Sequence, residues 1–130
     1  MRVGWANWAL DVPDEWTITD HPECLTLELS NDSALQISSM RKKAGVVDAS
    51  DLLTSKQDEW GASAAVTCGE FDGVSYEYLD GGSLWRRWYL KWGQTMLIVT
   101  YNGAPAVAER ERGTVDNLLS TVQTRADHEA

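Results

Sequence analysis

Cysteine and histidine are scarce in this chain. The two cysteines, Cys24 and Cys68, lie far apart, and neither belongs to a Cys-x-x-Cys pair or sits near a histidine at metal-ligand spacing. Reduced, half-buried thiols and no metal site are expected. The two histidines, His21 beside a proline in an acidic loop and His128 in the polar tail, would have to meet across distant parts of the chain to act together. Positive charge is short as well: 11 Lys and Arg stand against 20 Asp and Glu, a formal net charge of −9. A phosphate-binding surface needs a clustered positive field, which argues against nucleic acid or an anionic membrane surface as partner. At the start of the chain Arg2, Trp5, Asn7, Trp8 and Asp11 leave no uninterrupted apolar run, so neither a signal peptide nor a membrane insertion is expected, and the expected location is cytoplasmic. Catalytic motifs are missing too. There is no Gly-x-Ser-x-Gly elbow and no phosphate-binding glycine loop, and Ser38 and Ser39 have no accompanying base. Acidic neighbours such as Asp14 with Glu15 and Asp58 with Glu59 read as solvated charge on a turn or helix surface. The expectation is a protein without catalytic activity or cofactor.

What is present fits one globular domain. The chain has 130 residues, 43% of them hydrophobic, enough to bury one core without staples. We assign residues 1–125 to that domain and 126–130 to a polar tail. Trp8, Leu10 and Val12 alternate with Ala9 and Asp11, the period of a half-buried strand, and Pro13 ends it. The PDEW that follows is expected to turn and return Trp16 to the core. Leu25, Leu27 and Leu29 form a second strand, Asn31 and Asp32 a turn, and Ala34 to Ser39 a third strand with Leu35 and Ile37 inward. After the basic loop MRKKAG the period changes. Asp48 opens a helix carrying Ala49, Leu52, Leu53, Lys56 and Trp60 on one side, with Gly61 as its cap. From Ala64 to Tyr101 four strands are expected, punctuated at Asp72-Gly73, Gly81-Gly82 and Gly93-Gln94. A last helix begins near Pro105 with a stripe of Val115, Leu118, Leu119 and Val122, and Gly113 is a potential break.

Three of the seven tryptophans crowd into LWRRWYLKWGQTMLIVTYN, Leu84 to Asn102. A two-residue loop at Gly81-Gly82 sets Tyr78 opposite Trp85, Glu77 opposite Arg86 and Tyr76 opposite Arg87. A loop at Gly93-Gln94 sets Lys91 opposite Met96 and Tyr89 opposite Ile98. Two faces result. The first carries Leu84, Arg86, Trp88, Leu90 and Trp92 with Glu77, Leu79, Leu97, Val99 and Tyr101, and is expected beneath a helix. The second carries Trp85, Arg87, Tyr89 and Lys91 with Tyr76, Tyr78, Met96 and Ile98. Here Arg87 and Lys91 interleave with aromatics, either as cation–π ladders that hold the sheet or as a partly open binding platform. The candidate site is therefore Tyr76, Tyr78, Trp85, Arg87, Tyr89 and Lys91.

The run from WALDVPDEW, through a hairpin and a helix, to RRWYLKWGQTMLIVTYN and a closing helix ending in VDNLLSTVQ resembles the PsbP-like superfamily. That resemblance implies an α+β fold, a three-layer α/β/α sandwich with a central antiparallel sheet in the order βββ-α-ββββ-α. The superfamily spans a photosystem II extrinsic subunit, a Ran-binding import factor, bacterial lipoproteins and type VI effector chaperones; binding without catalysis is what they share. The expected function is accordingly a protein-interaction module of bacterial type, an adaptor, effector chaperone or immunity-like protein whose partner is a protein such as a secreted effector or toxin. The alternative is a small-ligand carrier with a pocket between sheet and helix, Arg87 clamping a carboxylate or phosphate. Pairing of two copies through an uncovered sheet edge or face stays open.

Overall fold

A computed structural model describes residues 2–5, 8–20, 24–30, 33–41 and 64–124 of the chain. It is an α+β protein dominated by antiparallel sheet. Strands β1 (Arg2–Trp5), β2 (Trp8–Asp11), β3 (Thr17–Asp20), β4 (Leu25–Ser30) and β5 (Ser33–Arg41) precede β6 (Ala64–Cys68), β7 (Phe71–Asp80), β8 (Ser83–Trp92) and β9 (Thr95–Gly103). Helix α1 (Pro105–Leu119) and the short β10 (Gln123–Thr124) follow. The expected helix from Asp48 to Trp60, the Asn31-Asp32 turn, His21, His128 and the polar tail lie outside the described residues.

Seven strands form one sheet in the order β3-β4-β5-β9-β8-β7-β6. The registers of its meander follow from the loops. Gly81 and Gly82 both have left-handed φ, 61° and 81°, as a type I′ turn requires, and set Tyr78 opposite Trp85 and Glu77 opposite Arg86. Across β8 and β9, Lys91 meets Met96 and Tyr89 meets Ile98. One turn falls elsewhere than expected. It is Gly69-Glu70 that joins β6 to β7; Asp72 and Gly73 lie inside β7, opposite Thr67 and Val66, because Phe71 is already a buried strand residue.

Short elements account for the other departures from the expected order. β1, β2 and β10 make a second sheet, with β2 in its middle. β3 pairs with β4 from Thr17–Glu28 to Asp20–Leu25. β1 and β3 have four residues each and β10 two, too few to carry a readable period. Helix α1 starts on Pro105 and runs uninterrupted through Gly113.

The main core lies between one face of the large sheet and a cover made jointly by α1 and the small sheet. It unites Trp8, Leu10, Val12 and Trp16 with Leu25, Leu27, Leu35 and Ile37, with Trp88, Leu90, Leu97, Val99 and Tyr101, and with Val115, Leu118, Leu119 and Val122. Trp88 and Leu90 are buried there as expected. Trp92, expected in the same row, is 39% exposed at the strand end, beyond the reach of the cover.

Candidate functional site

The six candidate residues stand on β7 and β8 and share the second face of the sheet, opposite α1. At its centre Tyr76, Tyr89 and Met96 form a separate buried cluster, with Val74, Tyr78 and Ile98 packed against it. Tyr76 is 4% exposed and Tyr89 3%, so the middle of this face is covered core rather than open platform. Their hydroxyls lie 3.5 Å apart. Burial, with the hydrogen bond to Tyr89 second, pushes the Tyr76 phenol well above its ordinary pKa, keeping it neutral.

Accessibility returns toward the Gly81-Gly82 turn. Tyr78 and Trp85 are half-buried and stack with ring centres 6.0 Å apart and planes 4° from parallel. The Trp85 indole N–H donates to the Asp80 carbonyl at 3.3 Å, and Arg87 Nε donates to the Tyr78 hydroxyl at 3.1 Å. Burial works against the Arg87 cation, but hydrogen bonding to Tyr78 and Tyr89 outweighs it, and its pKa lies above the ordinary arginine value. The guanidinium thus braces the phenol end of the stack. A cation–π contact does occur in the sheet, but on the core face: Arg86 sits 4.5 Å above the Trp88 ring. Lys91, at the other end of the row, pairs with Asp72 at 3.4 Å across the strands. That partner was hidden by reading Asp72-Gly73 as a turn.

A second feature was not foreseen. On the core side a cleft of about 270 Å³ opens between β6, β8 and the C-terminal half of α1, lined by Val66, Cys68, Arg86, Trp88, Asp116 and Leu119. Arg86 is 8% exposed. It binds Asp116 at 2.7 Å and approaches Glu77 at 3.7 Å. Burial pushes the Cys68 thiol up to about 11, with the Asp116 charge adding and Arg86 opposing, so it is a thiol and not a nucleophilic thiolate at neutral pH. The available signal was Arg86 itself, since a charge inside an apolar row requires a partner from whatever covers that row. Among the described residues no cluster of three His, Cys, Asp or Glu is placed to hold a metal ion, and no helix is long and apolar enough to cross a membrane.

Comparison with known proteins identifies the fold. No family model matches the chain, and no curated protein matches it in sequence. Among solved structures, a Bacteroides thetaiotaomicron protein superposes over 91% of this chain with a TM-score of 0.65 and 12% identity; the chain spans 45% of that protein's length. The solution structure of the cyanobacterial PsbP (CyanoP) of Synechocystis sp. PCC 6803 superposes over 95% of this chain and 91% of its own, with a TM-score of 0.50 and 10% identity. The chain has a PsbP-like fold.

Proposed function

We propose that the protein is a non-catalytic interaction module of bacterial type that works in the cytoplasm. It serves as an adaptor, effector chaperone or immunity-like protein and binds a protein partner, such as a secreted effector or toxin, through the aromatic face of the sheet. The observation that carries this reading is the parallel Tyr78–Trp85 stack braced by Arg87 at the rim of an otherwise buried face. Tyr, Trp and Arg dominate binding hot spots, and rings already held in place lose little freedom on contact. Tyr76, Tyr89 and Lys91 belong to the support of that rim. The three-layer α/β/α arrangement is part of the same proposal: α1 and the small sheet cover one face, and the burial of Tyr76 and Tyr89 supports a cover on the other.

Trp85→Ala and Tyr78→Ala, each with a wild-type melting profile, are to be compared with wild type in capture from extracts of the native host, followed by calorimetry with the purified partner. Each variant is expected to weaken binding at least about tenfold, the scale of a hot-spot truncation. A partner that binds both variants with wild-type affinity overturns the proposal. The carrier reading is supported by the cleft between the sheet and α1, with Arg86 in place of Arg87 as its cation. A saturable shift of tryptophan fluorescence with small carboxylates or phosphates would favour it.

A further inference from the structure

Strand β6 is an outer strand of the large sheet, and among the described residues nothing pairs with its free side. The two-residue Gly69-Glu70 loop makes Cys68 and Phe71 the hydrogen-bonded closing pair. Alternation then turns the N–H and C=O groups of Ala65 and Thr67 away from β7, toward the open edge. Sheet edges are ordinarily guarded by a lysine, a proline or a bulge. The β6 sequence AAVTC has neither charge nor proline, and it pairs with β7 without a register shift. Ala64, Ala65 and Thr67 are exposed. The cleft, in which Trp88 and Leu119 line the wall together with the paired Arg86 and Asp116, opens beside Val66 and Cys68 on the core side of this edge.

We infer that β6 is a docking edge for an extended, neutral or basic peptide segment of a protein partner, which adds to the sheet as a further strand and lowers one apolar side chain into the cleft. Main-chain pairing along Ala65 and Thr67 supplies affinity, and the cleft reads the side chain. Its volume of about 270 Å³ accepts one branched aliphatic or aromatic group. Charge selects the partner. Arg86 is matched by Asp116 and Glu77, Glu70 is exposed at the neighbouring turn, and the chain as a whole carries −9. A second copy would bring the same negative charge to the edge, whereas a lysine-bearing strand is attracted to it. The inference is separate from the rim reading, because Tyr78 and Trp85 lie beyond the stretch of β7 that β6 covers.

The test is a titration of the isotope-labelled full chain with a capped octapeptide of alternating valine and threonine, with lysine at both ends, followed by amide NMR and hydrogen exchange. Saturable shifts centred on β6 are expected, with exchange at Ala65 and Thr67 slowed at least about tenfold, as hydrogen-bond formation at these amides requires. The same peptide N-methylated at every residue should not bind, since it keeps its side chains and loses the pairing donors on both of its edges. Thr67→Pro should abolish binding while the β6–β7 ladder persists, because its N–H faces outward. No saturable change up to millimolar peptide, shifts confined to other elements, or equal binding of the methylated peptide overturns the inference. So does a sedimentation profile in which the protein alone dimerises and Thr67→Pro makes it monomeric, which would assign the edge to a second copy.

Discussion

Arg86 places a guanidinium in a row of apolar side chains, and the energetics of that charge are asymmetric. Its side chain is 10% exposed, whereas that of its partner Asp116 is 52% exposed and that of Glu77 is 40% exposed. Its Nη1 is buried with no hydrogen-bond partner among the described residues. Removing the acid therefore strands a buried cation, while removing the arginine leaves carboxylates that water already reaches. Asp116→Ala is expected to cost about 1.5–3 kcal/mol, the scale of a hydrogen bond to a charged group, and Arg86→Met less than about 1 kcal/mol, both read from urea denaturation. Glu77 provides a pH signature. The Arg112 guanidinium hydrogen-bonded to it lowers its pKa below the usual 4.5; burial opposes this, and the charges of Arg112 and Arg86 add to it. A depressed folded-state pKa means the contribution is fully present above about 4.5 and is lost as pH falls through the lower folded value. Glu77→Gln should accordingly flatten the fall of the urea midpoint between about pH 5 and pH 3, where carboxylates titrate. The row containing Arg86 was legible from alternation, as was its cross-strand neighbour Glu77. Asp116 was not, because a contact between strand and helix 30 residues apart leaves no local period.

Among the elements, the β7–β8–β9 meander was the most readable. Two paired-residue loops fix two registers, and side-chain alternation then sorts Tyr76, Tyr78, Trp85, Arg87, Tyr89 and Lys91 onto one face without further information. What alternation could not reveal is that Tyr76 and Tyr89 are buried while Tyr78 and Trp85 remain accessible, since that depends on what lies over the face. Helix α1 was legible from its stripe, but Gly113 does not break it. A methyl group there would meet nothing within 4 Å, so Gly113→Ala is expected to stabilise the protein by about 1 kcal/mol, the helix-propensity difference. Gly69 behaves in the opposite way. Its φ is +58° and an added Cβ would lie 2.0 Å from the Val122 carbonyl oxygen, at the point where Glu70 N–H donates to that same carbonyl. Gly69→Ala should destabilise by at least about 1 kcal/mol, through the left-handed backbone and the enforced separation of the β6–β7 turn from the segment after α1. Thermal unfolding of the two alanine variants side by side checks both signs.

For the whole molecule, the first and last described strands flank the same strand. β1 lies along β2 and β10 along its other side, and Arg2 bonds both Asp11 and Gln123. No periodicity announced this second sheet; it arises because α1 delivers Val122 and β10 back beside β2. The large sheet has a comparable seam at its centre, where β5 and β9 pair at nine positions from Ser33–Gly103 to Arg41–Thr95. The part described before residue 42 meets the part described after residue 63 along that ladder, at the β2–β10 pairing and across the shared core. A chain divided in the connection between β5 and β6 would retain both halves of the seam. Co-expressed as two fragments, the halves are expected to associate and recover the intact chain's circular dichroism, whereas a division within β8 should not allow this. The protein would then serve as a two-part reporter, reconstituted only where its fragments are brought together.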